Sequence, residues 1–307
     1  MKKICSVALL MITIFSLTIT DADAQRFSRR RAYSTVGVGL NAMNYFGDIV
    51  PEPDFTSLRF KSTRPNINLT YTRKFHPRFS YRVGFAWGRI TGNDSLSASL
   101  NEAENRPRYI RNLSFRNDIK ELSGVFIIDL FENRNHYRRR PDFVPYAFAG
   151  IAVFHHNPKG YWKGGSGLAS GWYELQPLGT EGQFVDDPAY PDPYKRVQIA
   201  IPFGLGVRYK LDKRWDLGFE LGWRKTFTDY LDDVSTNYAD PQDLRDAAGP
   251  AAALFADRKA EAGFGGIKGW GAKGDQRGDS SDKDWYIVAG FNVNYILGNK
   301  LKSPKFR

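Results

Sequence analysis

The chain has 307 residues, with 44 Lys and Arg against 33 Asp and Glu, a net charge of +11 and one cysteine. That cysteine, Cys5, excludes a disulfide framework and a cysteine-built metal site. After residue 25 no run approaches the roughly 20 apolar residues that a membrane-spanning helix needs.

Lys2 and Lys3 precede an apolar stretch, Val7 to Leu17, which leads to Ala22-Asp23-Ala24. This is the pattern of a secretory signal peptide over residues 1–24. Cys5 lies ahead of the apolar stretch, so it is not the lipid-bearing cysteine of a lipoprotein. Residues 25–307 follow as one domain, with no linker and no shift of composition. Export argues against nucleic acid as a partner despite the basic charge. An exported chain without a spanning helix can still enter a membrane as a closed barrel, in which every backbone N–H and C=O pairs between strands.

The first expected strand is Tyr33 to Asn44, where Val36, Val38, Leu40 and Ala42 alternate with Gly37, Gly39, Asn41 and Met43. A loop with Pro51 and Pro53 follows. The second runs from Asn66 to Phe75 and turns at His76-Pro77-Arg78 into the third, Phe79 to Ile90, whose Tyr81, Val83, Phe85 and Trp87 share a face. The fourth, about Ile119 to Phe131, and the fifth, about Val144 to His155, alternate too weakly to fix their facing. The sixth, Val197 to Tyr209, is the clearest: Val197, Ile199, Ile201, Phe203, Leu205, Val207 and Tyr209 lie opposite Gln198, Ala200, Pro202, Gly204, Gly206 and Arg208. A period of two with an uncharged bulky face is the pattern of a strand between lipid and a polar lumen. The seventh spans Trp215 to Phe227 and the eighth Trp285 to Leu297. The expectation is an all-β fold: an eight-stranded antiparallel transmembrane barrel of the outer membrane, with short periplasmic turns and long extracellular loops.

Aromatics near the strand ends read as headgroup girdles: Phe75, Phe79, Phe131, Tyr209, Trp215 and Tyr295 on the short-turn side, Trp87, Phe154, Phe227 and Trp285 on the other. The longest loop, about 229–284, should carry a short surface helix over Pro250–Glu261 and otherwise be mobile.

Charge is concentrated in the N-terminal arm, the three tight turns and the tail, which together carry more than the whole net charge. An eight-stranded barrel is just wide enough for side chains to fill it. Arg82, Arg208, Glu220 and Arg224 face inward by parity and are expected to form an interior charge network that plugs the lumen. Arg138, Arg139, Arg140, Lys213 and Arg214 are candidate contacts for a periplasmic partner or for headgroup phosphates.

Catalytic, metal and cofactor sites are not expected. His155 and His156 are adjacent on a strand and point to opposite faces. Asp229, Asp232, Asp233, Asp240 and Asp243 lack the spacing of a calcium loop and read as a solvated acidic segment. No phosphate-cradling loop or nucleophile elbow is visible. A small pore, a ligand-binding barrel and a surface-loop adhesin are the alternatives to an anchoring role.

Several long stretches are distinctive: Arg111 to Asp118 leading to Glu121-Leu122-Ser123-Gly124; Tyr146 through Lys159; Gly171 to Gly182; and Ile201 to Gly204 through Arg224 to Ser235. Together they resemble the PorG-like outer-membrane barrels of Bacteroidota. The resemblance implies a role in type IX protein secretion and gliding, in which the barrel sits in outer-membrane lipid and associates with a periplasmic ring made of a lipoprotein and its partner.

Overall fold

A computed structural model describes residues 32–50, 62–103, 105–267 and 271–298; the signal peptide, the basic N-terminal arm, the Pro51 and Pro53 segment and the basic tail lie outside the described residues. Ten strands follow in chain order: β1 (Tyr33–Phe46), β2 (Arg64–Lys74), β3 (Phe79–Asn93), β4 (Ser114–Asp129), β5 (Phe143–His155), β6 (Pro158–Trp162), β7 (Gly171–Glu174), β8 (Val197–Lys210), β9 (Trp215–Thr226) and β10 (Trp285–Leu297). Eight of them are the expected strands. Each pairs antiparallel with its neighbour, β5 passes directly to β8, and β10 pairs with β1 to close the ring.

Residues directly opposite on paired strands share a face, so the register can be followed round the wall. Val293 lies opposite Val38, Val38 opposite Leu69, Leu69 opposite Phe85, Phe85 opposite Leu122, Leu122 opposite Val153 and Val153 opposite Ile199. All seven are exposed on the outside. A continuous apolar band on a closed barrel is the lipid-facing surface of an outer-membrane fold, and closure leaves no unpaired edge.

The facing of β4 and β5 is now defined. Ile119, Glu121, Val125, Ile127 and Asp129 point inward with Tyr146, Phe148, Ala152 and Phe154, while Leu122, Phe126, Ile128, Ile151 and Val153 point outward. Their alternation is weak because Val125, Ile127, Tyr146 and Phe148 form an apolar cluster inside the barrel, leaving bulky residues on both faces. Phe154 belongs to this interior at 1% exposure, so it is not part of the girdle.

The β6–β7 hairpin was not expected. It continues the wall above the barrel, with Lys159 opposite Arg116 and Pro158 opposite Asn117 of β4. Among the described residues four short helices fill the long loops: α1 (Asp94–Ser97), α2 (Arg106–Arg111), α3 (Pro241–Ala248) and α4 (Pro250–Ala256). The helix expected over Pro250–Glu261 thus ends at Ala256, and it is not superficial: Ala252 and Phe255 are fully buried. Phe255 joins a core in which Met43, Tyr45, Ile90, Phe115 and Tyr286 of the upper barrel pack with Ile49, Leu231 and Val234 of the loops, while Ala252 packs with Ala239, Leu244 and Ala256. Rather than a mobile fringe, the described part of the last loop is a lid on the extracellular mouth.

Candidate functional site

The lower lumen holds a ladder of buried ion pairs. At the periplasmic rim Arg140 donates to Asp216 Oδ1 at 2.9 and 2.6 Å. Above it Lys74 pairs with Asp129, which also accepts from Arg208 at 3.2 Å. Next, Arg82 grips Glu220 through its two terminal guanidinium nitrogens, one bond being 3.0 Å, and the Tyr146 hydroxyl donates to the same carboxylate at 2.5 Å. Highest, Arg224 approaches Glu121 at 3.5 Å, and Tyr286 donates to it at 2.8 Å. Gly206 is required here, because a Cβ at that position would stand 2.4 Å from the Tyr146 ring that crosses the lumen.

Of the four charged residues placed inside by parity, Arg82 and Glu220 therefore meet each other, whereas Arg208 and Arg224 meet Asp129 and Glu121. Sequence reasoning missed Lys74, Glu121, Asp129 and Asp216. Asp216 was legible, since it shares inward parity with Gly218 and Glu220. The voids between the rungs are about 20 and about 10 Å³, room for a water or so each. The ladder thus fills the barrel, and each charge removed from water faces an opposite one.

The periplasmic face is built on the same ladder. Tyr137 is buried against Tyr33 and Ile296, which fixes the 3₁₀ turn Tyr137–Arg139. Arg138, Arg139 and Lys213 project into solvent, and Arg214, also exposed, donates to the Tyr295 hydroxyl at 2.9 Å. Arg140 departs from the expected docking set. It is 5% exposed, and besides Asp216 it donates to the carbonyls of Tyr137, Asp212, Lys213 and Trp215. It is a latch that ties one periplasmic turn to another.

The extracellular lid rests on a knot of buried acids, not on the solvated acidic segment expected. The Tyr45 hydroxyl is hydrogen-bonded to both Asp232 Oδ2, at 2.7 Å, and Asp284 Oδ1, at 2.8 Å. Those carboxylates also accept from the backbone amides of Val234 and Leu231, at 2.9 and 2.7 Å. Beside them Asp233, in a left-handed conformation at φ 71, accepts from Thr180 and Tyr194 at 2.6 Å each. Two arginines bind the knot together. Arg277 donates to Glu181 at 2.8 Å and to the Asp233 carbonyl at 2.6 Å; Arg111 donates to Asp94 at 2.7 and 2.8 Å and to the Asp48 carbonyl at 3.1 Å.

Burial pushes Asp232 and Asp284 well above the usual carboxylate range, and it raises Asp233 and Asp229 to about 6. His156 is also fully buried, stacked on Tyr194 with Nε2 3.2 Å from the Lys195 carbonyl, and burial lowers it to about 4. Among the described residues no three His, Cys, Asp or Glu side chains are grouped so as to hold a metal ion.

Solved structures similar to this chain include proteins of bacterial outer membranes and surfaces. Ail, the attachment invasion locus protein of Yersinia pestis, in complex with the heparin analogue sucrose octasulfate, shares 7% identity over 87% of this chain and 99% of its own, with a TM-score of 0.38. The outer membrane protein OprG of Pseudomonas aeruginosa shares 10% identity over 88% of this chain and 98% of its own, with a TM-score of 0.39. For Neisserial surface protein A the values are 8%, 86%, 97% and 0.36. No curated protein matches the sequence. The family described as "Domain of unknown function (DUF6089)" matches residues 9–169 of the 307. That span is more than half of the chain, which therefore belongs to the DUF6089 family.

Proposed function

We propose that this protein is a non-enzymatic outer-membrane barrel that anchors a periplasmic protein assembly, in the manner of the PorG-like barrels it resembles, as part of a type IX secretion and gliding apparatus. The observation that supports this most directly is the periplasmic face. Arg138, Arg139 and Lys213 stand exposed on short turns that the Arg140 latch and buried Tyr137 hold rigid. A rigid patch of net positive charge steers and orients an acidic partner at little ordering cost. The partner in this reading is the periplasmic ring, a lipoprotein and its companion. The filled lumen favours an anchor over a pore.

The test is to replace Arg138, Arg139 and Lys213 together with glutamate and recover the protein from detergent-solubilised membranes. The barrel should still fold, seen as a heat-sensitive shift on a gel, while co-purification of the ring proteins falls on the order of tenfold, as expected when like charges replace complementary ones. Unchanged recovery of the ring would remove the anchoring role.

A further inference from the structure

On the outer surface, at the top of the lipid band, the outward residues of β3 and β4 change character. Along β3, Phe85 and Trp87 give way to Arg89; on β4, Leu122 gives way to Lys120, Asp118 and Arg116, with Lys120 opposite Trp87 and Asp118 opposite Arg89. Arg89 is two residues beyond Trp87, about 7 Å along the strand. That is the height at which hydrocarbon ends and headgroups begin.

A cavity of about 480 Å³ opens at this level between the upper ends of β3 and β4 and the β6–β7 hairpin. The Arg116 guanidinium lies 3.7 Å from the centre of the Trp172 ring, and Trp172 meets Tyr161 edge-on at 5.3 Å. Arg116 Nε is buried and has no hydrogen-bond partner. Arg89 is fixed by two bonds to Asp118, at 2.5 and 3.1 Å. Lys163 lines the same cavity and is exposed. Five cations, Arg64, Arg89, Arg116, Lys163 and Arg258, thus line the cavity beside an aromatic platform, and of these Arg89 is paired with Asp118 and Arg258 with Glu261. Arginine and lysine favour phosphate oxygens, and an aromatic face suits the apolar side of a sugar ring.

We propose that this cavity binds the phosphorylated sugar headgroup of a glycolipid in the outer leaflet, with Arg116 and Lys163 on the phosphate and Trp172 and Tyr161 against the sugar. The cavity adjoins the lipid band on the outer wall, so a ligand anchored by acyl chains along Trp87 and Leu122 arrives there already concentrated. This site is independent of the periplasmic face and of any role assigned to it.

The experiment uses the full barrel in detergent and three probes: bisphosphorylated lipid A, the same lipid after removal of its phosphates, and soluble glucosamine 6-phosphate. Lipid A should bind the unaltered protein, and both Lys163→Gln and the double variant Arg116→Gln/Lys163→Gln should bind it more weakly, the double variant on the order of tenfold or more, as expected for losing charge-assisted bonds. The dephosphorylated lipid should bind the unaltered protein as weakly as intact lipid A binds the double variant. Lys163 is exposed, so its replacement leaves the fold intact and keeps the test decisive if the double variant misfolds. Equal lipid A affinity in all variants would overturn the site, and competition by glucosamine 6-phosphate at concentrations similar to lipid A would overturn the lipid as its source.

Discussion

The lower lumen and the extracellular lid both bury acidic side chains, but the lumen pairs every one of them with a cation and the lid leaves some of them without one. In the lumen each carboxylate meets a cation: Asp216 with Arg140, Asp129 with Lys74 and Arg208, Glu220 with Arg82, Glu121 with Arg224. In the lid Asp232 and Asp284 share one tyrosine hydroxyl and a few backbone amides. The lumen is held by charge pairs that bridge strands far apart in sequence, whereas the lid combines two such pairs, Arg277 with Glu181 and Arg111 with Asp94, with acids held by protonation and hydroxyl donors. Both regions should therefore suffer when a paired charge is deleted, but only the lid, with its unpaired acids, should respond strongly to pH.

Deleting one charge from the lumen is expected to give the largest effect. Arg82→Ala leaves Glu220 buried at 14% exposure with Tyr146 as its remaining donor, and should cost about 3–5 kcal/mol of barrel stability, the usual penalty for stranding a buried ion. The double variant Arg82→Met/Glu220→Leu removes both charges and should recover most of that loss. Thermal unfolding in detergent, followed by the loss of the heat-sensitive gel shift, measures both. A double variant no better than the single would mean that the pair contributes more than mutual neutralisation.

Arg140→Ala should come next, about 3 kcal/mol or more, since it strands Asp216 and releases four carbonyls. Arg139→Ala, one position away but exposed, should change stability by less than about 0.5 kcal/mol. Equal effects at the two positions would place Arg140 back among the docking residues. A third substitution probes the lid alone: Arg277→Ala frees Glu181 and the Asp233 carbonyl, and should expose the segment after residue 240 to protease while the barrel keeps its unfolding temperature.

Much of the wall was legible because one face of β8 and β9 is apolar and the other is glycine and charge, so parity alone separates lipid from lumen. The same rule fails for β4 and β5, where Val125, Ile127, Tyr146 and Phe148 make the inward face as apolar as the outward one. The β6–β7 hairpin escaped notice because its strands are five and four residues long and are separated by a glycine-rich turn. Three successive arginines at 138–140 give no local sign of which turns inward; the sign is Asp216, its partner on another strand. The acids of the lid look like a solvated loop because what buries them is remote, with Tyr45 separated by 187 and 239 positions from Asp232 and Asp284.

The smallest effect, and the one that most sharpens the contrast, is the pH response of the lid. Asp233 is raised by burial from an ordinary value near 4 to about 6, so between those values the folded lid binds a proton that the open chain does not. Its contribution to stability is therefore present at low pH and is lost as pH rises through about 6. Asp229, also raised by burial to about 6, acts in the same direction, as do Asp232 and Asp284. His156 opposes them: held neutral down to about 4, it favours the closed lid above its ordinary value near 6.5 and weakens it as pH falls from there towards 4. Four acids outweigh one imidazole, so amide hydrogen exchange in residues 229–236, corrected for the intrinsic pH dependence of exchange, should show more protection at pH 5 than at pH 7.5. Asp233→Asn should shrink that difference and His156→Gln should enlarge it. A lid protected more strongly at pH 7.5 would mean that its acids are ionised and paired like those of the lumen.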